Sequence, residues 1–71
     1  MNKKVRTLIF ETEKTLASST PRLDAELLLA FALNIEPANL FFYDHEITEL
    51  QIQLFKAYTE RRSKGEPVAY I

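Results

Sequence analysis

The stretch TPRLDAELLLAFAL at residues 20–33 decides the fold of this chain. Thr20 before a proline is typical of an N-cap followed by the first helical residue, where the missing proline N–H costs nothing. Asp24 and Glu26 lie near the helix N-terminus, where the helix dipole favours negative charge. Residues 27–33 are all apolar, and a helix that is apolar on every side is surrounded by other elements. The stretch therefore predicts a central, buried helix.

Two amphipathic helices are predicted on either side of the central one. From residue 3 to about 17, apolar side chains recur at steps of three and four, which places Val5 and Leu8 on one helix face. Thr48 with Gln51 three residues later has the pattern of a capping box and predicts a third long helix. Its predicted core face consists of Leu50, Leu54, Phe55, Ala57 and Tyr58.

Shorter elements connect and follow these helices. Asn34 is expected to end the central helix, and Pro37 to start a short helical turn. Gly65 lies where the residue after a helix C-terminus belongs, and the next residue precedes a proline, which disfavours helix there. We expect an all-α fold, a small bundle of three longer helices plus one or two short helical turns. Residues 1–65 form this domain, and residues 66–71 form an extended C-terminal exit segment.

Length and composition limit the chain to one small core. Its 71 residues, 46% of them hydrophobic, make a single domain without cysteine, which excludes disulfides and thiolate sites. The longest apolar run, residues 27–33, is too short to span a membrane. The net charge of −1 creates no field that would attract nucleic acid or anionic lipid. We expect a soluble, cytoplasmic monomer whose partner is a protein.

The sequence contains no group of residues that could carry catalysis. A nucleotide or S-adenosylmethionine site needs a glycine-rich turn, and Gly65 is the only glycine. His45 has acidic sequence neighbours, but adjacent side chains diverge, which favours a loop histidine over a metal ligand. Glu11 and Glu13 point about 200° apart on a helix and cannot converge for acid–base work. We therefore predict no catalytic, cofactor-binding or metal-binding residue.

Three groups of side chains are candidates for partner contact, and each also has a structural explanation. The basic clusters Lys3-Lys4-Arg6 and Arg61-Arg62-Lys64 could meet on one face and touch phosphate, although solvated helix ends explain both. Phe41-Phe42-Tyr43 is expected mainly to fill the core while leaving at least one ring exposed as an anchor. The candidates are thus the exposed members of residues 41–46 and the two basic clusters.

Polarity also predicts one ion pair. Arg61 and Arg62 lie at the end of an otherwise apolar helix face, and Asp24 and Glu26 lie near the start of the central helix. A charged head group on an apolar face needs a partner, so one of these arginines should bind one of these acids.

Two stretches carry a resemblance to a known family. STPRLDAELLL at residues 19–29 resembles the S-x-P-R-x-D-A-E-x-L-L stretch in the second helix of PrmC/HemK methyltransferases. RRSKGEPVAYI at residues 61–71 resembles the R-R-x-x-G-E-P-x-A-Y-I stretch that ends the N-terminal domain of that family. The resemblance covers the whole chain and is strongest at these two motifs.

The resemblance implies a substrate-docking N-terminal domain of a protein-glutamine N5-methyltransferase. The family uses S-adenosylmethionine to methylate the glutamine in the Gly-Gly-Gln loop of class I peptide release factors. Its catalytic Asn-Pro-Pro-Tyr motif and glycine-rich cofactor motif belong to a later Rossmann-like domain, and neither occurs here. Residues 66–71 would begin the linker to that C-terminal methyltransferase domain. The fragment itself would bind a release factor without cofactor or catalysis.

A stand-alone acyl-carrier-like protein is the main alternative, because carriers are acidic helical domains of this size. A carrier needs a serine within Asp-Ser-Leu at the start of its second helix to hold phosphopantetheine, and this chain has Thr20-Pro21-Arg22 there. An intact mass unchanged after exposure to a phosphopantetheinyl transferase would exclude it. A helix-turn-helix DNA reader would need a polar recognition helix, and the central helix is too apolar for that role.

Overall fold

The computed structural model describes residues 1–71, and all regular structure in it is helical. The elements are, in chain order, α1 (Lys3–Glu13), α2 (Pro21–Leu33), a 3-10 helix (Pro37–Phe42), α3 (Glu49–Ser63) and a second 3-10 helix (Val68–Tyr70). The predicted all-α fold with three longer helices and short helical turns is confirmed. None of these helices combines the length and the apolar character needed to cross a membrane.

The central helix of the fold is α2, as its apolar sequence predicts. It contacts α1, α3 and both 3-10 helices. The buried core comprises Val5, Leu8, Ile9, Leu16, Ala25, Leu28, Leu29, Ala32, Leu33, Leu40 and Phe55. One stripe of α2 is not covered, because Leu23 and Phe31 stay 54% and 40% exposed and Leu27 is only half-buried.

Asn2 caps the start of α1. Its Oδ1 accepts hydrogen bonds from the backbone N–H groups of Lys4 at 2.7 Å and Val5 at 3.3 Å, two donors that the helix leaves free. The helix ends at Glu13, earlier than the predicted end near residue 17. Leu16 is nevertheless buried in the core, so the chain after α1 still follows the surface of the bundle.

The predicted capping box starts α3. The Gln51 amide donates to Thr48 Oγ1 at 3.1 Å, and the Thr48 amide donates to Gln51 Oε1 at 2.9 Å. Both the cap residue and the start of the third long helix are therefore confirmed.

The predicted core face of α3 is wrong in part. Phe55 is buried and Tyr58 packs partly against the core. The other three residues of the predicted core face are exposed: Leu50 (75%), Leu54 (39%) and Ala57. Leu50 lies about 140° from Phe55 around the helix axis, so the two cannot both face α2. The side of α3 that carries Phe55 and Arg62 faces inward instead.

Residues in the left-handed conformation end α2 and α3, as predicted for Asn34 and Gly65. Asn34 has a φ of 58° and Gly65 a φ of 102°. After α3, the Gly65 amide donates to the Arg62 carbonyl at 3.0 Å. The Glu66 amide donates to the Arg61 carbonyl at 3.2 Å, which completes a Schellman motif. Glycine suits this position because a positive φ costs it little.

The exit segment is extended only at its start, so this part of the fold prediction is corrected. Pro67 has extended backbone angles, with φ −61° and ψ 143°. Val68–Tyr70 then form a 3-10 helix that contacts α2. Val68 and Ile71 pack against the core, and this burial of apolar surface favours a chain that folds back over one that continues outward.

Candidate docking surfaces

The only buried charged residue, Asp24, lies where α2 meets α3. Arg62 Nε donates to Asp24 Oδ2 at 2.9 Å, and the Asp24 side chain is only 7% exposed. The Thr20 hydroxyl donates to Asp24 Oδ1 at 3.1 Å, and the Ser18 hydroxyl donates to Oδ2. The predicted ion pair between the last and central helices is confirmed. We call Ser18, Thr20, Asp24 and Arg62 the clasp.

The clasp lowers the pKa of the Asp24 carboxyl below its ordinary value of 3.8. Burial is the largest single influence and raises this pKa, because it disfavours the charged form. The hydrogen bonds from Ser18, Arg62 and Thr20, together with the charge of Arg62, outweigh burial. Asp24 is therefore an ionised acid with its hydrogen-bonding needs met, which is a structural role and not that of a proton donor.

Thr20 occupies the predicted N-cap position of α2, but its side chain serves Asp24 instead of the helix terminus. No backbone amide of α2 donates to the Thr20 hydroxyl. A buried carboxylate loses more from missing donors than an exposed helix end does, because water can reach the end of the helix. Pro21 also leaves this helix end with one free amide fewer, because proline at the first helical position has no N–H.

The cations of the C-terminal basic cluster all have carboxylate partners within the domain. Arg61 binds Glu66, and this hydrogen bond lowers the pKa of the Glu66 carboxyl. Lys64 Nζ lies 3.1 Å from Glu60 Oε1. The third cation belongs to the clasp. All three charges of this cluster are therefore already paired within the domain.

The N-terminal basic cluster has no such partners. Lys3, Lys4 and Arg6 are exposed, and no carboxylate lies within 4.0 Å of them. The Ala17 amide donates to Ser63 Oγ at 3.2 Å, so α3 ends beside the C-terminal end of α1. The N-terminal cluster lies at the opposite end of α1, about 16 Å away along the helix. The two basic clusters therefore do not meet on one face, and the possibility of a joint phosphate contact that the sequence left open is removed.

Residues 41–46 expose two aromatic rings. Phe42 is 82% exposed and Phe41 50% exposed, whereas Tyr43 packs partly against the core. The prediction of at least one exposed ring is confirmed, but core filling falls to Tyr43 and to Leu40, which is 1% exposed. The exposed rings lie on the first 3-10 helix, which the buried leucine holds in place.

His45 is a loop residue, as the sequence favours. Its side chain is 80% exposed, and its ring meets that of Tyr43 edge-on at 5.5 Å between centroids. The nearest carboxylate oxygen, Asp44 Oδ1, lies 3.8 Å from His45 Nε2. Nowhere do three or more His, Cys, Asp or Glu side chains come together in a group that could hold a metal ion.

Asn2 joins the N-terminal basic cluster to the exposed rings. Its Nδ2 donates to the His45 carbonyl at 3.4 Å while its Oδ1 caps α1. A shallow groove of about 470 Å³ between these segments is lined by Lys3, Phe41 and Phe42, among others. The structure thus brings together two of the three candidate groups. We call Met1, Lys3, Arg6, Phe10, Phe41 and Phe42 the N-terminal surface.

A second groove of about 670 Å³ continues along α1 and shares Met1 and Lys3 with the first. Phe10 lines it and is 57% exposed. Lys14 Nζ lies 4.2 Å from the centroid of the Phe10 ring, a cation–π geometry. Phe10 was not predicted as a surface residue, although it lies two helical turns from Lys3 and thus on the same side of α1.

Comparison with known proteins identifies the family. The model of the PrmC N-terminal domain matches residues 7–71, which is nearly the whole chain. The chain belongs to the PrmC N-terminal domain family. This agrees with the resemblance carried by residues 19–29 and 61–71.

Curated relatives of this PrmC N-terminal domain are described as release factor glutamine methyltransferases. The protein of Coxiella burnetii is 50% identical over 58 residues, 80% of this chain and 21% of the relative. That of Koribacter versatilis is 45% identical over 53 residues, 73% of this chain and 19% of the relative. That of Chlorobaculum tepidum is 39% identical over 67 residues, which are 92% of this chain and 22% of the relative. The chain spans about a fifth of the length of these relatives. No solved structure matches it significantly.

The motifs that carry the resemblance have structural roles in this PrmC N-terminal domain. Thr20 and Asp24 from the first motif meet Arg62 from the second in the clasp. Gly65 ends α3 in the left-handed conformation. These motif residues therefore join α2 to α3 and end α3.

The PrmC N-terminal domain also exposes an apolar surface on α2 and α3. Leu23, Leu27 and Phe31 recur every four residues and form one stripe on α2. Leu50 and Leu54 form a similar stripe on α3. By helical geometry, each stripe lies beside the clasp residue of its own helix. We call these five residues the α2–α3 face. It was not predicted, because four of its members, Leu27, Phe31, Leu50 and Leu54, were expected to face the core.

Proposed function

We propose that this domain docks a class I peptide release factor for a release factor glutamine methyltransferase. The observation that carries the proposal is the match of nearly the whole chain to the PrmC N-terminal domain, together with the names of its relatives. In the proposed reaction, the methyl group of S-adenosylmethionine passes to the side-chain amide nitrogen of the glutamine in a Gly-Gly-Gln loop, and that nitrogen loses a proton.

We assign the methyl transfer to a separate Rossmann-like domain. Gly65 is the only glycine of this chain, so no glycine-rich turn is present that could approach a cofactor closely. The one buried acid, Asp24, is committed to the clasp. In this proposal residues 1–65 are the docking domain and residues 66–71 begin the linker to the methyltransferase domain.

The surface chemistry supports a role in protein binding. The domain carries exposed aromatic rings on an anchored 3-10 helix, and such rings are typical of protein interfaces. The unpaired Lys3 beside them can attract and orient an acidic partner. The net charge of −1 gives no reason to propose nucleic acid or a membrane as the partner. The proposed partners are the release factor and the methyltransferase domain of the same enzyme, with the protein acting as a monomer in the cytoplasm.

Titration of the ¹⁵N-labelled domain with a purified class I release factor tests this function. We expect saturable chemical-shift changes in a contiguous set of surface residues, because docking occludes one side of a rigid bundle. An unrelated protein of similar net charge is the control and should leave the spectrum unchanged. A spectrum that does not change with the release factor in excess would refute docking by this domain.

A further inference from the structure

We infer that the N-terminal surface binds an acidic protein surface that offers an apolar pocket, with Phe42 and Phe10 as anchors and Lys3 and Arg6 as ion-pairing groups. The inference rests on the proposed function for the identity of the partner, the release factor. Beyond the proposed function, it specifies which surface of the domain contacts the release factor and which chemical groups the release factor presents to that surface.

The free positive charge of the domain is concentrated on α1. Four of the nine lysines and arginines form ion pairs with carboxylates inside the domain. Among the other five, Lys3, Lys4 and Arg6 lie in the first turns of α1, and Lys14 directly follows it. Only Lys56 lies elsewhere. Charges without internal partners are the ones available to attract and orient a partner, so an acidic partner would meet this end of the domain.

Three of the free charges share one side of α1 with an aromatic ring. Steps of three and four residues place four side chains on the side opposite the buried Val5: Lys3, Arg6, Phe10 and Lys14. These residues line the groove of about 670 Å³. An apolar side chain of the partner can enter this groove against Phe10 while carboxylates approach the flanking cations.

The second anchor is held in position before any partner binds. Phe42 is 82% exposed, the most exposed large apolar side chain of the domain. It lies on the 3-10 helix that the buried Leu40 and the half-buried Tyr43 fix to the core. The Asn2 hydrogen bond to the His45 carbonyl also ties the following loop to α1. A preorganised aromatic ring loses little entropy on binding, which makes it effective as an anchor.

The arrangement of charge favours a protein over a nucleic acid. Acidic side chains are interleaved with the cations: Glu11 and Glu13 line the α1 groove, and Asp44 lines the smaller one. A nucleic acid presents closely and evenly spaced phosphates, some of which would face these carboxylates. A protein can instead place single carboxylates opposite Lys3 and Arg6 and leave the acids of the domain in solvent.

Charge and aromatic variants, each with a matched control, test the inference in the release-factor titration. The double variant Lys3→Gln/Arg6→Gln is paired with Lys56→Glu, which lowers the net charge by the same amount at another exposed and unpaired lysine, on α3. Phe42→Ser is paired with Leu50→Ser on the α2–α3 face, where the leucine is 75% exposed. We expect about tenfold weaker binding or more for each N-terminal-surface variant and less than about twofold for each control. Thermal melting of all four variants checks that their fold is intact.

The outcomes separate this inference from the proposed function. If Leu50→Ser weakens binding while the N-terminal-surface variants bind like the parent domain, the release factor docks on the α2–α3 face, and only the inference fails. If the parent domain does not bind the release factor, the proposed function fails and the inference with it. Tighter binding to a single-stranded RNA oligonucleotide or to phosphatidylglycerol vesicles than to the release factor would overturn the assignment of a protein partner.

Discussion

Replacing Arg62 by methionine removes the cation of the clasp and keeps much of the apolar length of the side chain. Asp24, 7% exposed, would retain only the hydroxyls of Ser18 and Thr20 as donors. Removal of one partner from a fully buried ion pair costs about 3 to 5 kcal/mol. Because the Arg62 side chain is 22% exposed and two hydroxyl donors remain, we expect a loss of about 2 to 3 kcal/mol. A chain of this length has roughly 4 to 10 kcal/mol of stability in total.

Urea unfolding followed by circular dichroism at neutral pH measures this loss, and thermal unfolding should show a Tm lower by roughly 10 to 20 °C. Arg61→Met is the matched control, because its ion pair with Glu66 is exposed and contributes little to stability. The double variant Asp24→Asn/Arg62→Met should cost less than the sum of the single variants, since the two residues share one interaction. If Arg62→Met destabilises the domain no more than Arg61→Met does, the clasp does not hold α2 to α3 and the reasoning is refuted.

Four further predictions concern stability. Thr48→Ala should cost about 1 kcal/mol in urea unfolding, because it removes the capping-box acceptor; an unchanged midpoint would contradict this. Gly65→Ala should cost about 1 to 2 kcal/mol because φ is 102°, although a Cβ there meets no atom within 4 Å; equal stability would show that the turn relaxes freely. Phe55→Ala should cost about 3 to 5 kcal/mol, whereas Leu50→Ala should leave stability nearly unchanged, because Phe55 is 1% and Leu50 75% exposed. Similar losses for the two variants would mean that α3 presents a different face to the core. The pKa of Asp24 in the folded domain is lowered, so the stabilisation that its charge provides is full above the ordinary pKa of 3.8 and is lost as pH falls through the folded pKa. The stability difference between the parent domain and Asp24→Asn should therefore shrink in acid. A difference that grows in acid would mean that folding raises the pKa of Asp24 instead of lowering it.

Local rules predicted the helix boundaries because the deciding residues act on their immediate neighbours. Thr48 and Gln51 satisfy each other's backbone amides within one turn. Asn34 and Gly65 adopt the left-handed conformation that few other residues tolerate. The Arg62–Asp24 pair was also predictable, although it joins distant parts of the chain, because a cation on an apolar face requires an acid nearby.

Features that depend on how much surface the neighbours cover were not predictable in the same way. Apolar side chains extend over more of α3 than α2 can bury, so hydrophobicity alone could not show that Phe55 faces inward and Leu50 outward. The separation of the two basic clusters required the direction of α1 relative to α3, which the contact between Ala17 and Ser63 establishes. The 3-10 turn at Val68–Tyr70 forms against α2, a surface that the exit sequence itself does not describe.

The clasp residues mark this domain as a family member, whereas a different set, the N-terminal surface, is inferred to bind the partner. Variants in the two sets should therefore lose binding for different physical reasons. Asp24 and Arg62 join α2 to α3 near the C-terminal end of α1, whereas Lys3 and Phe42 lie at its other end. A substitution in the clasp acts on binding only through the folded fraction, so any binding that it removes should be regained when the temperature is lowered or an osmolyte restores folding. A substitution in the N-terminal surface leaves the folded fraction unchanged, so its binding defect should persist under the same conditions.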